Sequence, residues 1–171
     1  MNVFEFAMKM EADGKAYYEN LAIQSSSPGL KTIFKGLAED EQKHYEIFKQ
    51  LAQGETVATV QNSTALEDAR NIFDKLPKGA IARQGISDNT AAYDHAMQLE
   101  AESFKFYERA AIAEDRPEVT ELLMLIALEE RQHYNILENV FNFINAPNQS
   151  LEWGEFSNLG EFRQFGRETD L

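Results

Sequence analysis

The chain has 171 residues, 43% of them hydrophobic, which suits one compact domain with a sizeable core. It contains no cysteine, so disulfides, thiolate-bound zinc, rubredoxin-type iron and iron–sulfur clusters are excluded. A net charge of −13 argues against nucleic acid as a partner, because phosphate binding needs clustered lysine and arginine.

The N-terminus, Met1 to Glu5, shows neither a basic stretch nor a long apolar run, and so does not read as a signal peptide. The longest apolar run, Leu122 to Leu128, is far too short to span a bilayer. A soluble, cytoplasmic protein with no membrane partner is expected. Helical periodicity begins at once. A first helix carries Phe4, Ala7, Met8, Glu11, Tyr18, Leu21 and Ala22 on one stripe. Ser25 to Gly29 makes a turn, with Ser27 as N-cap before Pro28. A second helix carries Leu30, Ile33, Phe34, Leu37, Glu41, His44, Phe48 and Leu51.

A linker of 35 residues, 54–88, follows, with a short helical stretch from Ala65 to Leu76 closed by Pro77 and Gly79. A hairpin would not need that length. A connection running the length of a bundle would, since a helix of about 25 residues is about 38 Å long. A third helix carries Ala96, Met97, Glu100, Ser103, Tyr107 and Ala110, ending near Pro117. A fourth carries Val119, Leu122, Leu123, Ile126, Glu130, His133, Leu137, Val140 and Phe141, and stops by Pro147. The expected fold is all-α: a ferritin-like four-helix bundle over residues 1–147, two antiparallel pairs joined by one long crossover. The tail, 148–171, carries Trp153, Phe156, Phe162 and Phe165 and is expected to pack on the bundle or on a neighbouring subunit.

The two pairs, about 2–53 and 90–145, repeat each other. Residues 7–22 align without a gap on 96–111, an offset of 89, with 7 of 16 positions identical. The same offset carries Leu37–Tyr45 onto Ile126–Tyr134. Each of the four stripes is apolar except at one level, where they present Glu11, Glu41 with His44, Glu100, and Glu130 with His133. Residues three apart share a helix face, so each Glu-x-x-His pair can reach one ion. Four carboxylates balance two divalent cations, whereas four carboxyl groups alone in a low-dielectric core would be costly unless some took up protons. The third histidine, His95, lies off the Glu100 face and reads as a surface residue.

One glutamate from each of two helices and Glu-x-x-His from the other two is the ligand set of ferritin-like di-iron and di-manganese proteins. Over about 2–145 the chain resembles the rubrerythrin family. The resemblance implies that Glu41 and Glu130 bridge two irons, that Glu11 and Glu100 cap them terminally, and that His44 and His133 each hold one through a ring nitrogen. Oxygen and nitrogen donors with vacant positions suit iron or manganese. Tyr18 and Tyr107, seven residues after Glu11 and Glu100, could hydrogen-bond a ligand carboxylate, as matching tyrosines do in the family, and serve catalysis by positioning or relaying a proton. Either could instead be a core tyrosine with its hydroxyl satisfied elsewhere. Asp40 and Glu129 resemble residues that orient the histidine of the facing helix; an exposed helix face is the other reading.

Two departures bear on function. Typical rubrerythrins add a rubredoxin domain, whose cysteines are absent here, so a separate electron donor such as a rubredoxin-like protein is expected. They also carry a glutamate where this chain has Ser103, with Gly14 at the equivalent place in the first helix. The first expectation is a di-iron oxidoreductase reducing hydrogen peroxide, as a homodimer or small oligomer. A ferroxidase or iron store using O₂, a di-manganese catalase and a non-enzymatic metal-binding module are the alternatives.

Overall fold

The computed structural model describes residues 2–57, 63–73 and 90–145. Five helices are found there: α1 (Val3–Gln24), α2 (Pro28–Ala52), α3 (Ala65–Phe73), α4 (Thr90–Ala113) and α5 (Pro117–Asn145). No strand occurs among the described residues. The starts of the first two helices are written in local chemistry. Asn2 caps α1 in a reciprocal box, its side chain accepting from the Glu5 amide at 2.8 Å while Glu5 accepts from the Asn2 amide at 2.9 Å. Ser27 caps α2, with Pro28 as its first residue, where a missing N–H leaves no helix bond unmade.

α1 packs along α2, and α4 along α5. The pairs then meet antiparallel. Tyr18 reaches Glu100 while Tyr107 reaches Glu11, so α4 runs against α1. His44 reaches Glu129 while His133 reaches Asp40, so α5 runs against α2. α2 and α4 therefore run the same way, and the chain between them must return along the whole bundle. That is the ferritin-like order, and the fold expected from the sequence is borne out. α3, packed on α2 and α5, is the described part of the crossover. The short helix was expected to reach Leu76; it is described to Phe73, and Pro77 and Gly79 lie outside the described residues, as do 146–171 with the tail aromatics.

The core is split into two. One apolar cluster gathers Leu21, Leu30, Phe34, Leu37, Ala96, Ile136, Leu137 and Val140. The other gathers Phe4, Ala7, Phe48, Leu51, Phe104, Leu123 and Ile126. Each large side chain buried there stabilises the fold by about 1.5–3 kcal/mol. That stabilisation offsets the cost of the layer between the clusters, where Glu11, Glu41, His44, Glu100, Glu130 and His133 are all buried.

Candidate metal centre

The six residues named from the sequence converge in that layer. Ligand atoms of Glu11, Glu41, His44 and Glu130 lie within 4.8 Å of one another, and so do those of Glu41, Glu100, Glu130 and His133. Glu41 and Glu130 belong to both clusters; Glu11 and Glu100 belong to one each. His44 points Nδ1 inward, 2.9 Å from Glu130 and 3.5 Å from Glu11. His133 does the same, 3.2 Å from Glu41 and 3.8 Å from Glu100.

Behind each imidazole stands a carboxylate from the other half. His44 Nε2 meets Glu129 at 2.7 Å, and His133 Nε2 meets Asp40 at 3.4 Å. Donating Nε2–H outward fixes the tautomer whose Nδ1 lone pair faces the cluster, as metal-bound histidines require. Asp40 and Glu129 are buried, so the exposed-face reading does not hold for them. Lys43 also donates to Asp40, at 2.6 Å. Burial works upward on the Asp40 carboxyl, but His133, Lys43 and Ser63 hold it well below the usual range.

Both tyrosines are buried and satisfied within the site: Tyr18 donates to Glu100 Oε1, and Tyr107 to Glu11 Oε1. Each bonds the glutamate of the opposite half, not its own helix. Burial, then the charges of Glu11 and Glu130, push the Tyr107 hydroxyl well above its ordinary value, so it stays a proton donor. His95 is exposed, against the Tyr17 ring, and takes no part.

Among the described residues, five buried side-chain atoms find no hydrogen-bond partner: Glu41 Oε1, His44 Nδ1, Glu100 Oε2, Glu130 Oε1 and His133 Nδ1. Unpaired buried polar atoms are costly and demand an explanation. All five belong to the two clusters, and all are the oxygen and nitrogen donors that a divalent cation takes. The residues fit a pair of metal ions.

A cleft of about 330 Å³ between α1 and α4 leads from solvent to this layer. Its floor is Glu41, Glu100 and Glu130; its walls include Met10, Leu99, Phe6 and Phe106. Gly14 and Ser103 line it together, so the two positions that lack a carboxylate are the ones that leave room. A Cβ on Gly14 would lie 3.4 Å from the Glu41 carboxyl.

A family model for rubrerythrin matches residues 2–141. The chain belongs to the rubrerythrin family. No curated protein and no solved structure matches it. Rubrerythrins are di-iron proteins on a ferritin-like helical bundle, and the paired clusters of this rubrerythrin could hold such a centre. No described helix is long and apolar enough to cross a membrane. One participant had no signal in the sequence. Ser63, outside the repeat, donates its amide to Glu129 at 2.7 Å and its hydroxyl to Asp40. Only the Ser63-Thr64 start of α3 marks it locally, as a helix entrance and not as part of a site.

Proposed function

We propose that this rubrerythrin is a di-iron oxidoreductase that reduces hydrogen peroxide to water, with electrons from a carrier outside these residues. The observation that supports it most is the joining of the two clusters through Glu41 and Glu130, below an open cleft. Iron bound there supplies two electrons and Lewis acidity, matching the demand of O–O cleavage: H₂O₂, two electrons and two protons give two waters. Glu11, Glu41, His44 and Glu130 would hold one ion, and Glu41, Glu100, Glu130 and His133 the other. Glu129 and Asp40 keep the imidazoles turned inward. Tyr18 lines the cleft and holds its proton against Glu100, which places it to donate to oxygen arriving from that side. The apolar walls admit a small neutral oxidant and limit bulk water.

Stopped-flow mixing of the diferrous protein with hydrogen peroxide and with O₂ tests this reading. Oxidation at least tenfold faster by peroxide, with little iron released, is expected. A second reading, ferroxidase and iron storage, is favoured by the exposed Asp13 and Glu102 at the cleft, which would draw cations in. Faster oxidation by O₂, with successive iron additions accumulating as mineral, would establish it instead. A fast peroxide reaction with manganese loaded and no reductant would point to a catalase.

The cleft makes a separate prediction. Gly14→Ala adds only ordinary van der Waals contact to Glu41 and removes a glycine from mid-helix, so stability should rise by about 0.5–1 kcal/mol with activity kept. Gly14→Leu fills the cleft and should slow peroxide reduction at least tenfold while two metals per chain remain bound. Unchanged rates in the leucine variant would show that the oxidant arrives elsewhere.

A further inference from the structure

We propose that Ser63 is a positioning residue for both histidines at once, tying the crossover to the metal centre. The inference rests on the two clusters holding metal. Asp40 and Glu129 occupy the same place in the two repeats, on the face of α2 and α5 opposite the cleft. Each braces one imidazole through Nε2. A carboxylate held only by that bond could still rotate about its own side chain and let the ring turn.

Ser63 removes that freedom at Glu129, and at Asp40 it adds to the hold of Lys43, which already donates to Oδ1 at 2.6 Å. Its amide occupies Glu129 Oε1 at 2.7 Å, leaving Oε2 to His44 at 2.7 Å. Its hydroxyl donates to Asp40 Oδ2, the same oxygen that His133 Nε2 approaches at 3.4 Å. Ser63 Oγ also accepts from the Ala65 amide at 3.0 Å, which orients the hydroxyl and fastens it to the start of α3. One residue, from outside the repeat, therefore serves two halves that are otherwise copies of each other. Its donors act through Asp40 and Glu129, not on the ions themselves.

The rival explanation is that Ser63 merely starts α3. Ferrous-ion affinity of the full chain, measured anaerobically against a competing chelator, separates the two. Ser63→Ala is expected to weaken binding about tenfold, the lower end of what orienting partners of metal ligands contribute. Ser63→Thr, which keeps the hydroxyl, should return to within about twofold of the parent. Ala69→Gly loosens α3 at a buried position without touching these bonds, and should bind as the parent does. Linkage requires the reciprocal effect: metal loading should slow hydrogen exchange at the Ser63 amide of the unaltered protein, and Glu129→Ala should abolish that slowing. Parent-like affinity in Ser63→Ala, equal weakening by Ala69→Gly, or an amide indifferent to loading would each overturn the proposal and leave the metal reading intact. Absence of metal binding by the unaltered chain would overturn both.

Discussion

Stripping metal from the loaded protein at pH 8 is expected to lower its melting temperature by about 10–20 °C. Each ion bound only by the folded state, at a free concentration one hundred times its dissociation constant, contributes about 2.7 kcal/mol. Two such ions, in a chain of this length, convert at roughly 2–4 °C per kcal/mol. The effect should also grow with pH. Burial, then the charges of Glu130 and Glu11, push the Glu41 carboxyl well up, and burial with Glu130 does the same to Glu100. At His44 burial works downward, but Glu11, Glu129 and Glu130 outweigh it; at His133 Asp40, Glu41 and Glu100 do so. Both histidines end well above their usual value.

A raised carboxyl contributes stability below its ordinary 4.5, and a raised histidine below its ordinary 6.5, and each contribution is lost as pH climbs through the folded value. Glu11, Asp40 and Glu129 are lowered by their partners, so their contribution is lost only on acidification. From pH 6.5 upward, then, the metal-free protein weakens, while metal, which must displace the same protons, binds more tightly. Calorimetry with and without chelator at pH 6 and pH 8 measures both trends. A melting curve indifferent to chelator at pH 8, or more sensitive at pH 6, would contradict the account.

The Glu41→Gln, Glu130→Gln double variant is expected to lose both ions and yet, without metal, to be more stable than the metal-free parent at pH 8. Both residues belong to both clusters, so neither ion keeps its set. Glutamine keeps the shape and removes the Glu41 carboxyl, whose ionisation is opposed by burial and by the Glu130 and Glu11 charges, and relief of that kind is worth about 1–4 kcal/mol. His95→Ala, on the exposed surface, should change neither quantity. Metal analysis and thermal melts decide the matter. Two ions per chain in the double variant would remove these glutamates from the centre, and a lower metal-free melting point would show that their charges were never in conflict.

The layer was legible in the sequence because repetition filters noise. Glu41 with His44 means little alone, but its copy 89 residues on, on another apolar stripe, narrows the reading to one site. What the sequence withheld is whatever depends on which helices face each other. Tyr18 sits two turns from Glu11, about 10 Å along the axis, too far to bond it. Its partner is Glu100, which only the antiparallel meeting of α1 and α4 supplies. Ser63 was invisible for a related reason: its partners lie 23 and 66 residues away, and no second copy of it exists to compare.

Nearly every bond across the centre joins one half to the other. Tyr18 and Tyr107 reach over, Glu129 and Asp40 brace the opposite histidine, and each cluster borrows one glutamate from the far side. The first half closes the site with the second through a surface on α4 and α5 that every copy of the chain possesses. At high concentration, and with 37 residues between Ala52 and Thr90 to connect the pairs, two chains could exchange halves and rebuild two complete centres with no ligand lost. In such an exchanged pair both apolar clusters and both centres would form between the chains, so chelation would loosen the pair without by itself releasing single chains.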